Sequence, residues 1–263
     1  MVEISIVTSD CVELLSQYTR KFDVLFADPP YNVGKKYYLS SDDKDYYFSW
    51  CESWIEKGFD ALKDGGSFYL INTPENSHKL YPIMKRYGQY KSSIVWFKRG
   101  SPSPRHNNYP NIYSVILYFS KRKSEYFDSS ERISFELKTK GEVSDHSVYD
   151  VWLDISKIVY GFLGQDEAIL NSDGKPILPN QLPTKLLERI IRVSCPENGW
   201  VCDPFCGTGT TARASKILNR NFVGGDIDPY LVQIALQSLE KVSYIQPLEK
   251  AFSVEEYFGG QQT

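Results

Sequence analysis

The sequence predicts an α/β protein built on a doubly wound, mostly parallel sheet, and three features carry that prediction. Short apolar runs of strand length alternate with stretches whose apolar residues recur every three or four positions, the pattern of strands joined by packed helices. Two of the runs end abruptly in turn-forming residues, at Asp28-Pro29-Pro30-Tyr31 and at Asp203-Pro204-Phe205-Cys206-Gly207. Both then lie at strand carboxyl ends, where an open α/β sheet binds ligands. At 263 residues, 41% hydrophobic and 24% charged, the chain can bury one sizeable core, with or without an insertion, and is expected to be stable unaided.

Taken in order, Glu3 to Val7 alternate as a strand, and Ser9-Asp10 cap a short helix carrying Val12, Leu14, Leu15 and Tyr18. The first βα turn therefore presents Asp10 and Cys11. Val24 to Ala27 form a buried strand, closed by prolines that cannot continue a ladder. Beyond it come Lys35, Lys36, Tyr37, Tyr38, Tyr46, Tyr47 and Phe48, either a lid or binding element or a partly helical stretch with its tyrosines on the core. Phe48, Cys51, Trp54, Ile55, Phe59 and Leu62 give an amphipathic helix over 45–63, stopped by Asp64-Gly65-Gly66. Ser67 to Asn72 are the next strand. Pro74 and Glu75 open a helix to about Tyr87, followed by a strand from Lys91 to Phe97.

Lys98 to Asn111 mixes Lys98, Arg99 and Arg105 with amides, an aromatic and prolines that forbid regular structure. That mixture suits phosphates and base edges, the competing reading being a plain solvated loop. Ile112 to Phe119 return as a strand ended by Lys121-Arg122-Lys123. From Ser124 to about Asn180 the periodicity weakens, 148–155 being the one strong apolar patch, so this stretch reads as an insertion or small lobe. Leu182-Pro183-Thr184 opens a helix through Leu186, Leu187, Ile190, Ile191 and Val193, closed near Cys195-Pro196. Trp200 to Cys202 are a strand, Gly207-Thr208-Gly209-Thr210-Thr211 a glycine loop, and Ala212 to Leu218 a helix. Asn221 to Gly225 end the pattern as a strand leading into Asp226-Ile227-Asp228.

Charge is segregated along the chain. Between Asn76 and Ser124 there is no Asp or Glu, while ten Lys and Arg occur, which leaves −13 for the rest of a chain whose net charge is −3. A basic stretch on an acidic body is the footprint expected of a nucleic-acid face, against the alternative of an ordinary solvated surface. The five cysteines form no C-x-x-C pair and their odd number fits a disulfide framework poorly. Cys202 and Cys206 with only three histidines in the chain supply no compact zinc motif, so no metal is expected. No apolar run approaches the ~20 residues of a membrane span, and the amino terminus lacks a basic stretch followed by an apolar one. A cytoplasmic protein is expected.

The chemistry at Asp28 to Tyr31 is narrow. Two prolines hold φ near about −65° and remove two N–H donors, leaving the local backbone rich in acceptors. With the Asp28 carboxylate, an exocyclic NH2 could give one hydrogen to Asp28 and the other to a backbone carbonyl, and Tyr31 offers a face for stacking. The plain alternative is a turn after a core strand. Asp28-Pro29-Pro30-Tyr31 resembles the signature of amino-group DNA methyltransferases, which transfer a methyl from S-adenosyl-L-methionine to adenine N6 or cytosine N4.

The second stretch is compatible with that resemblance. A strand, glycine loop and helix N-terminus present backbone N–H groups to an anionic group, and Asp226 lies 19 residues after Gly207, near the spacing at which an acidic residue reaches ribose hydroxyls. There is no G-K-[ST] for a triphosphate and no third glycine in register for a dinucleotide, so a nucleoside without phosphates remains. Asp203 to Thr211 closely resembles the methyltransferase loop that holds the methionine part of the cofactor. The catalytic stretch precedes that loop by about 175 residues, an order similar to the β group of these enzymes.

The resemblance implies a Rossmann-like methyltransferase fold divided into a catalytic half over 1–123, a small target-recognition insertion over 124–179 and a cofactor-binding half over 180–263. Asp28, Pro29, Pro30 and Tyr31 would receive the target base. Asp10 and Cys11 would lie against the cofactor adenine, Asp226 would bind ribose, and Asp203 with Phe205, Cys206, Gly207, Thr208, Gly209, Thr210 and Thr211 would hold the methionine end. Lys35, Lys36, Lys98, Arg99, Arg105, Lys121, Arg122 and Lys123 are the candidate DNA contacts. The implied partner is double-stranded DNA; whether a cognate restriction endonuclease accompanies the chain, and whether it acts as a monomer or a homodimer, the sequence leaves open. One departure is that relatives often carry Lys-Pro where this chain has Leu182-Pro183. Asp at position 28 leans towards adenine, because cytosine N4 enzymes more often have Ser-Pro-Pro-Tyr. Cytosine N4 transfer, a non-catalytic nucleic-acid-binding protein with a nucleoside pocket, and methylation of RNA or a protein amide are the alternatives.

Overall fold

The computed structural model describes residues 2–33, 46–98, 109–123, 126–129, 132–135, 144–147, 149–158 and 167–240. In chain order the elements are β1 (Ile4–Thr8), α1 (Cys11–Ser16), β2 (Phe22–Ala27), α2 (Tyr47–Ala61), β3 (Leu62–Asn72), α3 (Pro74–Tyr87), β4 (Gln89–Phe97) and β5 (Tyr113–Ser120). They continue with β6 (Arg132–Phe135), β7 (Ser144–Ser147), β8 (Val151–Trp152), α4 (Thr184–Ser194), β9 (Trp200–Asp203), α5 (Thr210–Ile217), β10 (Asn221–Asp226) and α6 (Pro229–Glu240). Eight strands form one sheet in the order β1-β10-β9-β2-β3-β5-β4-β8, and β6 with β7 makes a separate antiparallel pair.

The sheet is mostly parallel, and β5 is the exception: it runs antiparallel to both β3 and β4. The period-2 rule sends alternate residues of each strand to opposite faces. In β2, Val24 and Phe26 enter a core with α4, α5 and α6, through Leu186, Ile190, Ala212 and Ala235. Leu25 and Ala27 enter a second core with α1, α2 and α3, through Leu14, Trp54, Phe59 and Leu80. Burial on both faces is the reason this strand reads as an unbroken apolar run.

At the amino end of β2, the Asp23 carboxylate accepts from the Trp200 N–H at 2.8 Å and from Lys63 Nζ at 2.9 Å, while Lys21 Nζ lies 3.4 Å from the centroid of the Trp200 ring. One carboxylate thus ties β2 to both neighbours, β9 and β3, and helps set their register.

Three boundaries differ from the sequence pattern. Helix α2 ends at Ala61, with Leu62 already extended at φ −70° and ψ 144°, so Asp64-Gly65-Gly66 lies inside β3 rather than stopping the helix. The pairing jumps from Phe22↔Leu62 to Val24↔Ser67, and Gly65 at φ 81° supplies the left-handed residue such a bulge needs. Val151 and Trp152 join the main sheet beside β4, and Trp96 Nε1 donates to the Ile155 carbonyl at 2.8 Å. This part of the weakly periodic segment therefore packs on the central sheet, and Arg189 of α4 clasps it through Asp154 and the face of Trp152. Helix α6 falls beyond the last element the periodicity identified, and buries Val232, Ala235 and Leu239 in the α4–α5 core. No helix among the described residues is long and apolar enough to cross a membrane.

Leu25→Ala, at a position buried on the α1–α3 face, is expected to cost about 2–5 kcal/mol, measurable as a lowered denaturant midpoint at unchanged slope.

Candidate active site

The carboxyl ends of four adjacent parallel strands form the site. β1 pairs with β10 to Thr8↔Asp226, β10 with β9 to Gly224↔Asp203, and β9 with β2 at Cys202↔Leu25. Asp10, Asp226, Asp203 and Asp28 therefore follow four neighbouring strands on one edge of the sheet, and the two stretches remote in sequence meet. Backbone bonds stitch the edge together: Ser9 N donates to the Asp226 carbonyl at 3.1 Å and Cys206 N to the Gly225 carbonyl at 2.9 Å.

In the glycine loop, Asp203 is the organising side chain. Its carboxylate accepts from the Phe205 N–H at 2.9 Å and from the Thr211 hydroxyl, closing the loop onto the first turn of α5. Gly207 N donates to Asp226 Oδ2 at 3.0 Å. Gly209 caps α5 at φ 84°, and a Cβ there would lie 2.9 Å from that of Ala235, so both backbone angle and space require glycine. Beneath the loop is a residue the sequence reading missed. Arg213, 9% exposed, donates to the Thr208 carbonyl at 3.0 Å, to Thr210 Oγ1 at 3.1 Å and to Ser238 Oγ at 3.2 Å. No local pattern marks it, since its partners lie on its own loop and on α6.

The edge is acidic. Burial, with the charges of Asp28 and Asp226 adding to it, pushes the Asp203 carboxyl from the usual 3.8 up to about 7. Burial also raises Asp226, whose Oδ1 accepts from Asp228 N at 3.0 Å. The backbone N–H groups of Gly207, Ile227 and Asp228 all serve the Asp226 carboxylate, which has roughly four acceptor positions. Such a cluster favours a ligand carrying positive charge, which would restore ionisation of the carboxylates.

Cys11, Cys202 and Cys206 are buried and burial pushes all three thiols up, the opposite of what a thiolate nucleophile needs. The Phe205 ring packs edge-on against Trp54 at 5.0 Å and Trp50 at 5.9 Å. Asp10 is the cap of α1, its Oδ1 accepting from Val12 N at 2.7 Å and Glu13 N at 3.4 Å.

Across the edge, Pro29 is buried and Asp28, Pro30 and Tyr31 are half-buried. The Tyr31 hydroxyl donates to Asp28 Oδ1 at 2.6 Å. Asn32 follows at φ 53°, a left-handed residue that turns the chain away. Two further side chains missed from the sequence attach here: Asn76 Nδ2 donates to the Tyr31 carbonyl at 2.6 Å and to Asn72 Oδ1 at 3.0 Å. The one sequence signal for them is polarity at the end of an apolar strand and in the next helical turn.

The basic candidates divide. Lys98 follows β4 at the edge that carries the site, its N–H donating to the Ile112 carbonyl at 2.7 Å. Lys121, Arg122 and Lys123 follow β5, and because β5 is antiparallel they emerge at the opposite edge, beside the start of β3 (Ser67↔Ser120). Lys121 Nζ donates to the carbonyls of Asp60 and Leu62, and Arg122 pairs with Asp64 at 2.9 Å. Lys121, Arg122 and Lys123 thus lie on the side of the sheet away from the Asp28 turn and the glycine loop. Lys35, Lys36, Arg99 and Arg105 lie outside the described residues. Leu182 is half-buried against the α4 core. Among the described residues no group of three or more His, Cys, Asp and Glu could hold a metal.

Fold and site together define a doubly wound α/β protein with a ligand-binding edge made from an Asp-Pro-Pro-Tyr turn and a glycine loop. The chain belongs to the N6/N4 DNA methylase family, whose profile matches residues 22–237. It is 32% identical over 237 residues to the type II methyltransferase M.BamHI of Bacillus amyloliquefaciens, covering 83% of this chain and 53% of that enzyme. It is 31% identical over 240 residues to the type II methyltransferase M1.MboII of Moraxella bovis, covering 86% of this chain and 92% of the relative. The chain thus spans about half of the first enzyme and nearly all of the second. Among solved structures, the PvuII cytosine-N4-specific DNA methyltransferase superposes with a TM-score of 0.68 at 18% identity over 92% of this chain and 87% of that one. M1.HpyAVI superposes with a TM-score of 0.63 at 22% identity over 91% and 100%. These two share the fold.

Asp203 yields a pH test. Folded, it keeps a proton that the unfolded chain releases near 3.8, so its contribution to stability is full below about pH 4 and is lost as pH rises to about 7. Asp203→Asn, which cannot ionise, is expected to gain melting temperature relative to wild type between pH 4 and pH 8 in thermal denaturation without ligand. An offset between the two that stays constant with pH contradicts the assignment.

Proposed function

We propose that this chain is a DNA methyltransferase that moves a methyl from S-adenosyl-L-methionine to adenine N6 in duplex DNA. The observation that carries the reading is the β2–β9 pairing, which sets an acceptor-rich turn beside a glycine loop. The residues fit the cofactor on structural grounds. The buried carboxylates of Asp203 and Asp226 suit a ligand bearing sulfonium and ammonium charges, and the leading N–H groups of α5, which have no partner within the helix, can meet its carboxylate. Asp226 retains acceptor capacity for ribose hydroxyls, and the βα turn at Asp10 and Cys11 adjoins it for the adenine. When bound, S-adenosyl-L-methionine supplies an activated methyl group.

The chain's own residues then hold the acceptor. A base inside a duplex is out of reach, so the target is flipped from the stack, at a cost of a few kcal/mol. Its amino hydrogens go to the Asp28 carboxylate and a carbonyl of the Asp28-Pro29-Pro30 backbone, favouring a pyramidal nitrogen whose lone pair faces the methyl. The nitrogen–methyl bond would form as the donor's sulfur–methyl bond breaks, the neutral thioether leaving, with no covalent enzyme intermediate, and the proton given up by the amino nitrogen would pass to solvent by way of the Asp28 carboxylate. Rate comes from positioning and fixed dipoles. The Tyr31 hydroxyl takes one of the roughly four acceptor positions of Asp28, and its ring would serve as a stacking face. Adenine is favoured by Asp at position 28, and a DNA adenine methyltransferase, YhdJ of Escherichia coli, is 28% identical over 87% of the chain. A cognate restriction endonuclease is the companion this reading expects. Lys98 is the described basic residue best placed for DNA.

Incubating the chain with methyl-labelled cofactor and duplex DNA, then identifying the modified nucleoside, is expected to give N6-methyladenine. N4-methylcytosine would redirect the base assignment, and an unlabelled duplex would end the proposal. Asp28→Ala is expected to lower kcat by about 10²–10³-fold, the usual cost of one preorganised polar group, with cofactor affinity in equilibrium binding nearly unchanged. Tyr31→Phe should keep most activity and Tyr31→Ala should lose it; equal activities would exclude stacking.

A further inference from the structure

We propose that Asn76, held in place by Asn72 and Tyr47, is a positioning residue that fixes the backbone of the Asp28–Tyr31 turn for methyl transfer. The inference rests on the reading of that turn as the acceptor site. Asn76 lies in the first turn of α3, 9% exposed, and its amide reaches across 45 residues of sequence to the Tyr31 carbonyl at 2.6 Å. The same Nδ2 donates to Asn72 Oδ1 at 3.0 Å. Asn72, fully buried at the end of β3, also accepts from Thr73 N at 2.8 Å and donates through Nδ2 to the Tyr47 hydroxyl at 3.1 Å. The orientation of both amides is forced. A carbonyl can only accept and the Thr73 N–H can only donate, so Asn72 turns its oxygen and Asn76 its nitrogen to the shared contact.

Helix α3 does not need this side chain. Its cap is Thr73, whose hydroxyl accepts from the Asn76 N–H at 3.2 Å. At the turn, by contrast, Asn76 supplies a donor from another element. Pro29 and Pro30 have no N–H to brace it, and the chain leaves through Asn32 in the left-handed region. The carbonyl that Asn76 holds belongs to the peptide joining Tyr31 to Asn32, where the direction changes. Because the Tyr31 hydroxyl reaches back to Asp28 at 2.6 Å, moving this peptide also moves the group that lies on the acceptor carboxylate. Tyr47, the first residue of α2 and itself buried, anchors the far end of the chain of bonds. None of these three side chains bonds to the glycine loop, so their effect should fall on the acceptor half alone.

The test compares wild type, Asn76→Ala and the isosteric Asn76→Asp, well below each variant's melting temperature. The expected result is a kcat for methyl transfer to duplex DNA lowered about tenfold or more, as small misplacements of reacting groups cost. The Kd for S-adenosyl-L-methionine should stay within about twofold, since the glycine loop is untouched. Asn76→Asp should be no better than Asn76→Ala, because a carboxylate there faces two oxygens, whereas a space-filling role would make the isostere the milder change. Should Asn76→Ala not fold, Asn76→Ser, well tolerated in a first helical turn, is read by the same criteria. A folded variant with wild-type kcat, or a parallel loss of kcat and cofactor binding, overturns the inference. A wild-type chain that transfers no methyl overturns the function itself, and this inference with it.

Discussion

Everything at the site depends on the parallel pairing of β2 with β9. Only two residue pairs, Val24↔Val201 and Leu25↔Cys202, carry it, and Asp23 secures it by accepting from the first N–H of β9 while ion-paired to Lys63. A shift of one residue would turn Val24 and Phe26 from one core to the other. It would also carry Asp28 away from Asp203. Burial of both faces of β2 therefore makes the site a consequence of core packing, and explains why a short pairing can be trusted with the central juxtaposition.

The edge so formed collects negative charge that the fold tolerates rather than needs. Asp203 and Asp226 are held by N–H donors and a hydroxyl, yet burial still raises both. A functional site that keeps such a cost usually recovers it on binding its ligand. The positive charges obey a different geometry. The basic stretch is continuous in sequence, but β5 reverses direction and delivers Lys121 to Lys123 to the far edge, where Lys121 and Arg122 hold the end of α2 and the start of β3. Segregation of charge along a chain becomes segregation in space only if the strands involved run the same way.

Two networks stabilise the loops without contacting the reacting atoms. Arg213 braces the glycine loop from α5, and Asn76 with Asn72 braces the Asp28–Tyr31 turn from α3. Arg213 donates to the Thr208 carbonyl and Asn76 to the Tyr31 carbonyl, and each is buried, so loss of its partner would leave a polar group unpaired in a low-dielectric setting. Such second supports make loops as precise as the strands that carry them.

Much of this was written locally. Prolines set φ and strip donors at Pro29 and Pro30, glycine suits the left-handed angles at Gly207 and Gly209, and apolar spacing marks most of the elements; these effects act within a few residues and so can be read from them. The bulge at Gly65, the docking of Trp152 on β4, the direction of β5, and the reach of Asn76 to Tyr31 and of Arg213 to Ser238 could not. Each depends on which buried faces meet, a choice made among segments tens to hundreds of residues apart by packing and hydrogen-bond satisfaction together. The chain by itself determined the shapes of the two loops and the chemistry they offer; tertiary structure alone decided that they are neighbours and what holds them still.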